Sequence, residues 1–167
     1  MTCHNNTCDL RGHLQFSILG TGRQPAIDDA YHQLGLTTVY ILSINGFLNI
    51  LEVATGLGNF MTYMILGVAS MSQHFLYACC FGYSVNGGHF LLSGLLSQAV
   101  AEVLPLTIYY RLYQVSAMCL YFMGSVAIMT YDLPTNPDAF CGMAAGMFVG
   151  LVHLVHLVYI LLFTTSF

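Results

Sequence analysis

Lysine is absent from this chain, and charge of either sign is scarce. Three arginines and seven acids are spread over 167 residues, so that only 6% of the sequence is charged. A soluble domain carries about 25%. So few charges cannot cover a surface facing water, and with 57% hydrophobic residues the solvent expected for most of the chain is lipid. The formal net charge of −4, with no basic cluster, excludes a nucleic-acid role, because there is nothing to neutralise phosphates. Glycine-rich phosphate loops, catalytic-triad signatures and metal-ligand spacings are also missing. No nucleotide site, cofactor, metal centre or catalytic site of the chain's own is expected.

The six cysteines form no disulfide framework or zinc pattern. Cys79 and Cys80 are adjacent in an apolar run, while Cys3, Cys8, Cys119 and Cys141 are scattered. They read as small buried hydrophobes. Residues 1–29 hold Asn5, Asn6, Asp9, Arg11, Arg23, Asp28 and Asp29 and lack the basic start and apolar core of a secretory signal. They read as a polar arm outside the bilayer. Residues 30–167 then read as one membrane domain.

Four apolar stretches are expected there, at about 33–55, 60–84, 88–131 and 139–165. The first two have the ~20 residues needed to cross a ~30 Å hydrocarbon core. Thr55-Gly56-Leu57-Gly58-Asn59 and Ser84-Val85-Asn86-Gly87-Gly88 read as the turns that end them. From His89 to Tyr131 no loop is recognisable. As one helix it would be about 65 Å long at ~1.5 Å per residue, so it is expected to lie steeply tilted in the membrane. Asp132-Leu133-Pro134-Thr135-Asn136-Pro137-Asp138 reverses the chain. The last stretch opens with Gly142, Gly146 and Gly150, a small-residue stripe suited to close packing against the third helix. The fold class expected is an all-α membrane protein whose last two helices form a long tilted hairpin.

Arg111 and Glu102 are the two charges inside the third stretch, and Glu52 lies near the end of the first. Arginine at mid-bilayer costs at least ~2.5–3.5 kcal/mol on the gentler insertion scale. Snorkelling to the headgroups is one reading and a functional role the other. At ~100° per residue, His89, Ser93, Ser97, Thr107, Arg111 and Gln114 share one side of a continuous helix. Glu102 would then face nearly the opposite way, with Gln98, Tyr109 and Tyr113. On the last helix His153 and His156 share a side at i, i+3 and could pass protons or simply bond to facing groups. One helix cannot place both on opposite faces of a haem iron. His74, with Ser72 and Gln73, reads as a polar contact between helices. Such a track of polar and ionisable groups through apolar helices points to ion movement.

The segment Pro105-Leu106-Thr107-Ile108-Tyr109-Tyr110-Arg111-Leu112 resembles the core motif of ATP synthase subunit a. That family has a proline six residues before an invariant arginine, a leucine and a small hydroxyl residue after the proline, and a leucine after the arginine. The resemblance covers about residues 88–167. Gln114 and Val115 stand where the family has a small residue and asparagine, Leu120 replaces a polar residue, and His153 or His156 takes the place of its usual last-helix glutamine. The resemblance implies a proton-translocating stator subunit in the mitochondrial inner membrane. Arg111 would separate two aqueous half-channels. Glu102, His153 and His156 would be half-channel candidates, and His89, Ser97 and Gln114 would face the rotor or shape the channel. Implied partners are the c-ring, other Fo stator and peripheral-stalk subunits, and lipids such as cardiolipin. A membrane anchor of another respiratory complex, haem-associated through His74, and a small anion transporter are the alternatives.

Overall fold

A computed structural model describes residues 40–163. The polar arm at 1–29, the first part of the expected helix at 33–55 and the end of that at 139–165 lie outside these residues. Among the described residues the protein is all-helical, without strands. Helix α1 spans Ile44–Leu66, α2 Met71–Leu96 and α3 Gln98–Val103. A 3-10 turn, Leu104–Leu106, leads to α4, Ile108–Ala127. A π-helical turn, Ile128–Asp132, prolongs α4, and α5 spans Ala139–Phe163. Ile108–Asp132 and Ala139–Phe163 are each long and apolar enough to cross a membrane.

The long helices sit at the corners of a square. Contacts join α1 to α2, α2 to α4, α4 to α5 and α5 to α1, with adjacent helices antiparallel. Their inner faces bury Tyr63, Leu76, Cys80, Ala117, Tyr121, Ile128, Met143 and Val149. Their outer faces are greasy: Ile65 is 78% exposed, Ile108 76% and Leu96 72%. An apolar surface of this extent suits hydrocarbon and not water.

Two expected turns are overturned. Thr55–Asn59 is not a turn. Helix α1 runs through it, with the Thr55 hydroxyl bonded back to the Leu51 carbonyl at 2.7 Å. Gly56 serves close packing, since a Cβ there would lie 2.5 Å from Ser84 Oγ on α2. Ser84–Gly88 is likewise interior to α2, where a Cβ on Gly87 would meet the Tyr113 hydroxyl at 2.9 Å and Val53 at 3.0 Å. The chain actually reverses inside the expected second helix. Gly67 adopts φ +80°, a left-handed conformation that glycine enters without strain. Ser70 then caps α2 by accepting from Gln73 N, while Gln73 Oε1 accepts from Ala69 N. This is a close variant of the capping box.

The 43-residue third helix is also absent. Ser97 is extended (φ −148°, ψ 117°) and caps α3 through its side chain, and Thr107 (φ −72°, ψ 141°) caps α4. Pro105 lies in the 3-10 turn between them, where its missing N–H costs no helical bond. The length argument for one steeply tilted helix therefore falls. The glycine stripe faces more than one helix. Gly146 meets Ser125 of α4 and Leu76 of α2, Gly150 meets Tyr121 and Phe122 of α4, and Gly142 meets the Tyr63 ring of α1.

Candidate functional site

Helix α1 supplies the backbone of the site. Asn45, Asn49, Glu52, Asn59 and Tyr63 recur at three-, four- and seven-residue spacing, which places them on one side of a 3.6-residue helix. Asn49, Glu52, Asn59 and Tyr63 are buried. Facing them, α4 contributes Tyr110 and Gln114, and α5 contributes His153 and His156.

Glu52 is 3% exposed, and its carboxylate gathers the three helices. His156 Nδ1 lies 2.6 Å from Glu52 Oε1, and Gln114 Nε2 donates to Oε2 at 3.1 Å. His153 Nδ1 is 2.7 Å from Gln114 Oε1 and 3.4 Å from Glu52 Oε1. Beyond the pair, His156 Nε2 stands 2.5 Å from Asn45 Oδ1. Tyr110 donates to Asn49 Oδ1 at 2.6 Å, and Asn49 Nδ2 donates to the Tyr40 hydroxyl at 2.7 Å.

Both ring nitrogens of His156 lie within hydrogen-bond distance of oxygen atoms, Nδ1 of the Glu52 carboxylate and Nε2 of the Asn45 amide. Gln114 Nε2 also lies 3.2 Å from His156 Nδ1, so the amide sits against both the carboxylate and the ring. His153 is walled by tyrosines. Tyr121 stacks on it at 5.7 Å between centroids, and Tyr83 and Tyr113 present edge contacts. No group of three or more His, Cys, Asp or Glu side chains among the described residues is arranged for a metal ion.

Arg111 lies one turn before Gln114, in the first turn of α4, and is half-buried. Its Nε is buried without a hydrogen-bond partner, and the guanidinium forms no ion pair among the described residues. A cation near a helix N-terminus adds to the positive end of the helix dipole, so both raise the local positive potential.

Of the expected site residues, the fold brings His153, His156 and Gln114 into one cluster, with Arg111 at its edge. It does not bring the others. Glu102 is exposed on α3 and accepts from Gln98 Nε2 at 2.8 Å, His89 is exposed on α2, and Ser97 is a helix cap. The polar stripe from His89 to Gln114 is broken at Ser97 and Thr107. His74 is exposed, while its neighbour Gln73 serves the α2 cap. Glu52, Asn45, Asn49 and Tyr110 join the cluster without being among the site residues expected from the sequence. Their signal is the helical spacing on α1, which the supposed turn at Thr55–Asn59 cut in two.

A second polar group occupies the other half of the bundle. Asn59, Tyr63, Ser84, Tyr121 and Ser125 all have buried polar atoms without a hydrogen-bond partner among the described residues. Past them, where α1 and α4 end, Ser70 donates to Asp132 Oδ2 at 2.6 Å.

The chain matches no protein-family model, no curated protein and no solved structure.

Proposed function

We propose that the protein is a multi-pass membrane subunit that translocates protons in the manner of ATP synthase subunit a, in the mitochondrial inner membrane. The observation that carries this reading is the Asn45–His156–Glu52–Gln114–His153 cluster, buried among apolar helices and ending one turn from the unpaired Arg111. Ionisable groups inside a membrane are costly and mark functional sites, proton relays among them.

In this mechanism a proton reaches the histidine–glutamate cluster through one half-channel and passes to a carboxylate on a rotor subunit. That carboxylate rides round the ring and releases the proton into the other half-channel. Histidine takes and gives protons near neutrality. Glu52 contacts His156 directly, and Gln114 links His153 to the same carboxylate. Arg111 attracts the ionised rotor carboxylate and repels a proton that would cross directly between the half-channels. Arginine keeps its proton even in an apolar site, where a lysine could lose it. One charge moved through 100 mV carries ~2.3 kcal/mol, available for rotation. The exposed apolar side chains flanking Arg111, Ile108, Tyr109 and Leu112, form the face offered to the ring. Glu102 and His89 are exposed and lie outside the hydrogen-bonded cluster.

The test is Arg111→Gln in the assembled complex. Proton-driven ATP synthesis is expected to disappear while hydrolysis by the soluble head persists. Intact coupled synthesis would instead favour a passive anchor. Co-purification with a ring of small hairpin proteins bearing a mid-membrane carboxylate is the companion expectation, and recovery only with dehydrogenase subunits would overturn the reading.

A further inference from the structure

The unpartnered polar atoms are not scattered. On α1, Glu52, Gly56, Asn59 and Tyr63 follow one another on the same side, over roughly 16 Å of helix axis at ~1.5 Å per residue. Facing this strip, Ser84 comes from α2 and Tyr121 and Ser125 from α4. The Ser84 and Tyr121 hydroxyls converge beside Gly56, where a Cβ would lie 2.5 Å from the first and 3.5 Å from the second. The Tyr121 hydroxyl has a weak thiol neighbour in Cys80 and no hydrogen bond of ordinary geometry. At the far end Tyr63 lines a cavity of ≈ 110 Å³ between the α1–α2 turn and the start of α5, with Thr62, Gln73, Asn136, Asp138 and Gly142. At the near end Tyr121 stacks on His153, which contacts Glu52.

Burying a polar group without a partner costs about 1–3 kcal/mol. Seven such atoms in one small bundle would be a heavy load, and six of them lie on this line. Ordered water is the usual remedy where several polar groups converge, each molecule making two to four hydrogen bonds. The cavity at the mouth exceeds the ~30 Å³ share of a single water. Hydroxyl and amide groups both donate and accept, so water held by them can pass a proton along the row.

We propose that Tyr63, Asn59, Ser125, Ser84 and Tyr121 bind a file of water molecules that connects the cavity beside Asp138 to the Glu52–His153–His156 cluster. The file is a hydration site that the expected channel residues do not include. Its role as a proton path rests on the proton-translocating reading above, whereas its existence does not.

Radiolytic footprinting of the intact complex tests it, because hydroxyl radicals formed from bound water oxidise adjacent tyrosines. Tyr63 and Tyr121 are expected to gain an oxygen despite their burial. Tyr110, equally enclosed but with its hydroxyl committed to Asn49, is expected to stay protected. This comparison uses the unaltered chain and needs no variant to fold. Asn59→Leu should then abolish oxidation of Tyr121, keep that of Tyr63 at the mouth, and slow proton flux. Tyr121 as protected as Tyr110 would overturn the water file. A positive footprint with full proton flux in Asn59→Leu would overturn its role in access. Failure of the whole proton reading would show separately, as coupled synthesis that survives Arg111→Gln.

Discussion

Glu52 is met by side chains from both α4 and α5. It is a carboxylate deep in an apolar bundle, and the helices around it answer with a histidine N–H and an amide N–H. Breaking a buried pair by removing one partner typically costs about 3–5 kcal/mol, since the survivor stays buried and unmatched. Glu52→Gln should therefore lower the stability of the detergent-purified subunit by that order, measured by denaturant titration. It should also leave His156 without its anion and reduce proton transport. The Glu52→Gln/His156→Gln double variant should be less unstable than the two single losses predict. Contacting residues are non-additive by 0.5–3 kcal/mol, so strict additivity would show that the two do not act as a pair. Arg111 is held differently. With its Nε unpartnered and no ion pair among the described residues, its functional partner under the proposed mechanism belongs to another subunit.

At the scale of the helices, glycine is the residue whose meaning most depends on the third dimension. Gly56 and Gly58 are two positions apart in α1 and face opposite ways. A Cβ on Gly56 meets Ser84 at 2.5 Å, whereas on Gly58 it meets nothing within 4 Å. Gly58→Ala should stabilise the protein by roughly 0.5–1 kcal/mol through helix propensity alone. Gly56→Ala should destabilise it by about 1–3 kcal/mol, the range for overpacking. Ser84→Ala should relieve much of that loss by removing the opposing oxygen, and comparison of unfolding midpoints in one detergent checks all three.

The same glycines explain what was legible in the sequence. All-helical character and two long apolar helices follow from composition and run length. The last helix was readable almost to its ends, because Pro137 and the polar turn precede it. The first two helices were displaced by about a dozen residues, because glycine in an apolar setting marks close packing as readily as a turn. The true turn carried a signal, Gly67 followed by Ser70 and Gln73, but short polar punctuation between apolar runs is easily read through. The break at Ser97 was announced only by Gly94 three residues earlier, a glycine that packs against the Tyr40 ring. Of the site, Arg111, Gln114, His153 and His156 could be found from expensive residues in apolar runs. Glu52 could not, because cutting α1 at Thr55 put it at a helix end, where an acid is unremarkable. Once α1 is continuous, Glu52 stands in mid-helix with Asn49 and Asn59 on its side.

For the whole molecule, the question is what keeps α5 in place. Helices surrounded by lipid gain little from hydrophobic burial against one another, so association relies on close packing and interhelical hydrogen bonds. Helix α5 has both. Gly146 and Gly150 let α4 approach, and His153 and His156 bond to Gln114 and Glu52. Its only covalent link to the other described helices is the segment after Asp132, where Pro134, Thr135, Pro137 and Asp138 are exposed. A chain cut at that segment, expressed as residues 1–135 and 136–167 together, should therefore reassemble and co-purify in mild detergent. His156→Leu in the shorter piece should weaken recovery sharply, because Glu52 would be left facing hydrocarbon. Glu52→Leu in the longer piece should largely restore it, since a buried ion pair replaced by apolar groups of similar volume is often neutral or stabilising. The restored pair of fragments would still fail to translocate protons. Equal recovery with and without His156 would mean that the glycine contacts alone hold α5, and that the Glu52–His156 pair is present for function and not for assembly.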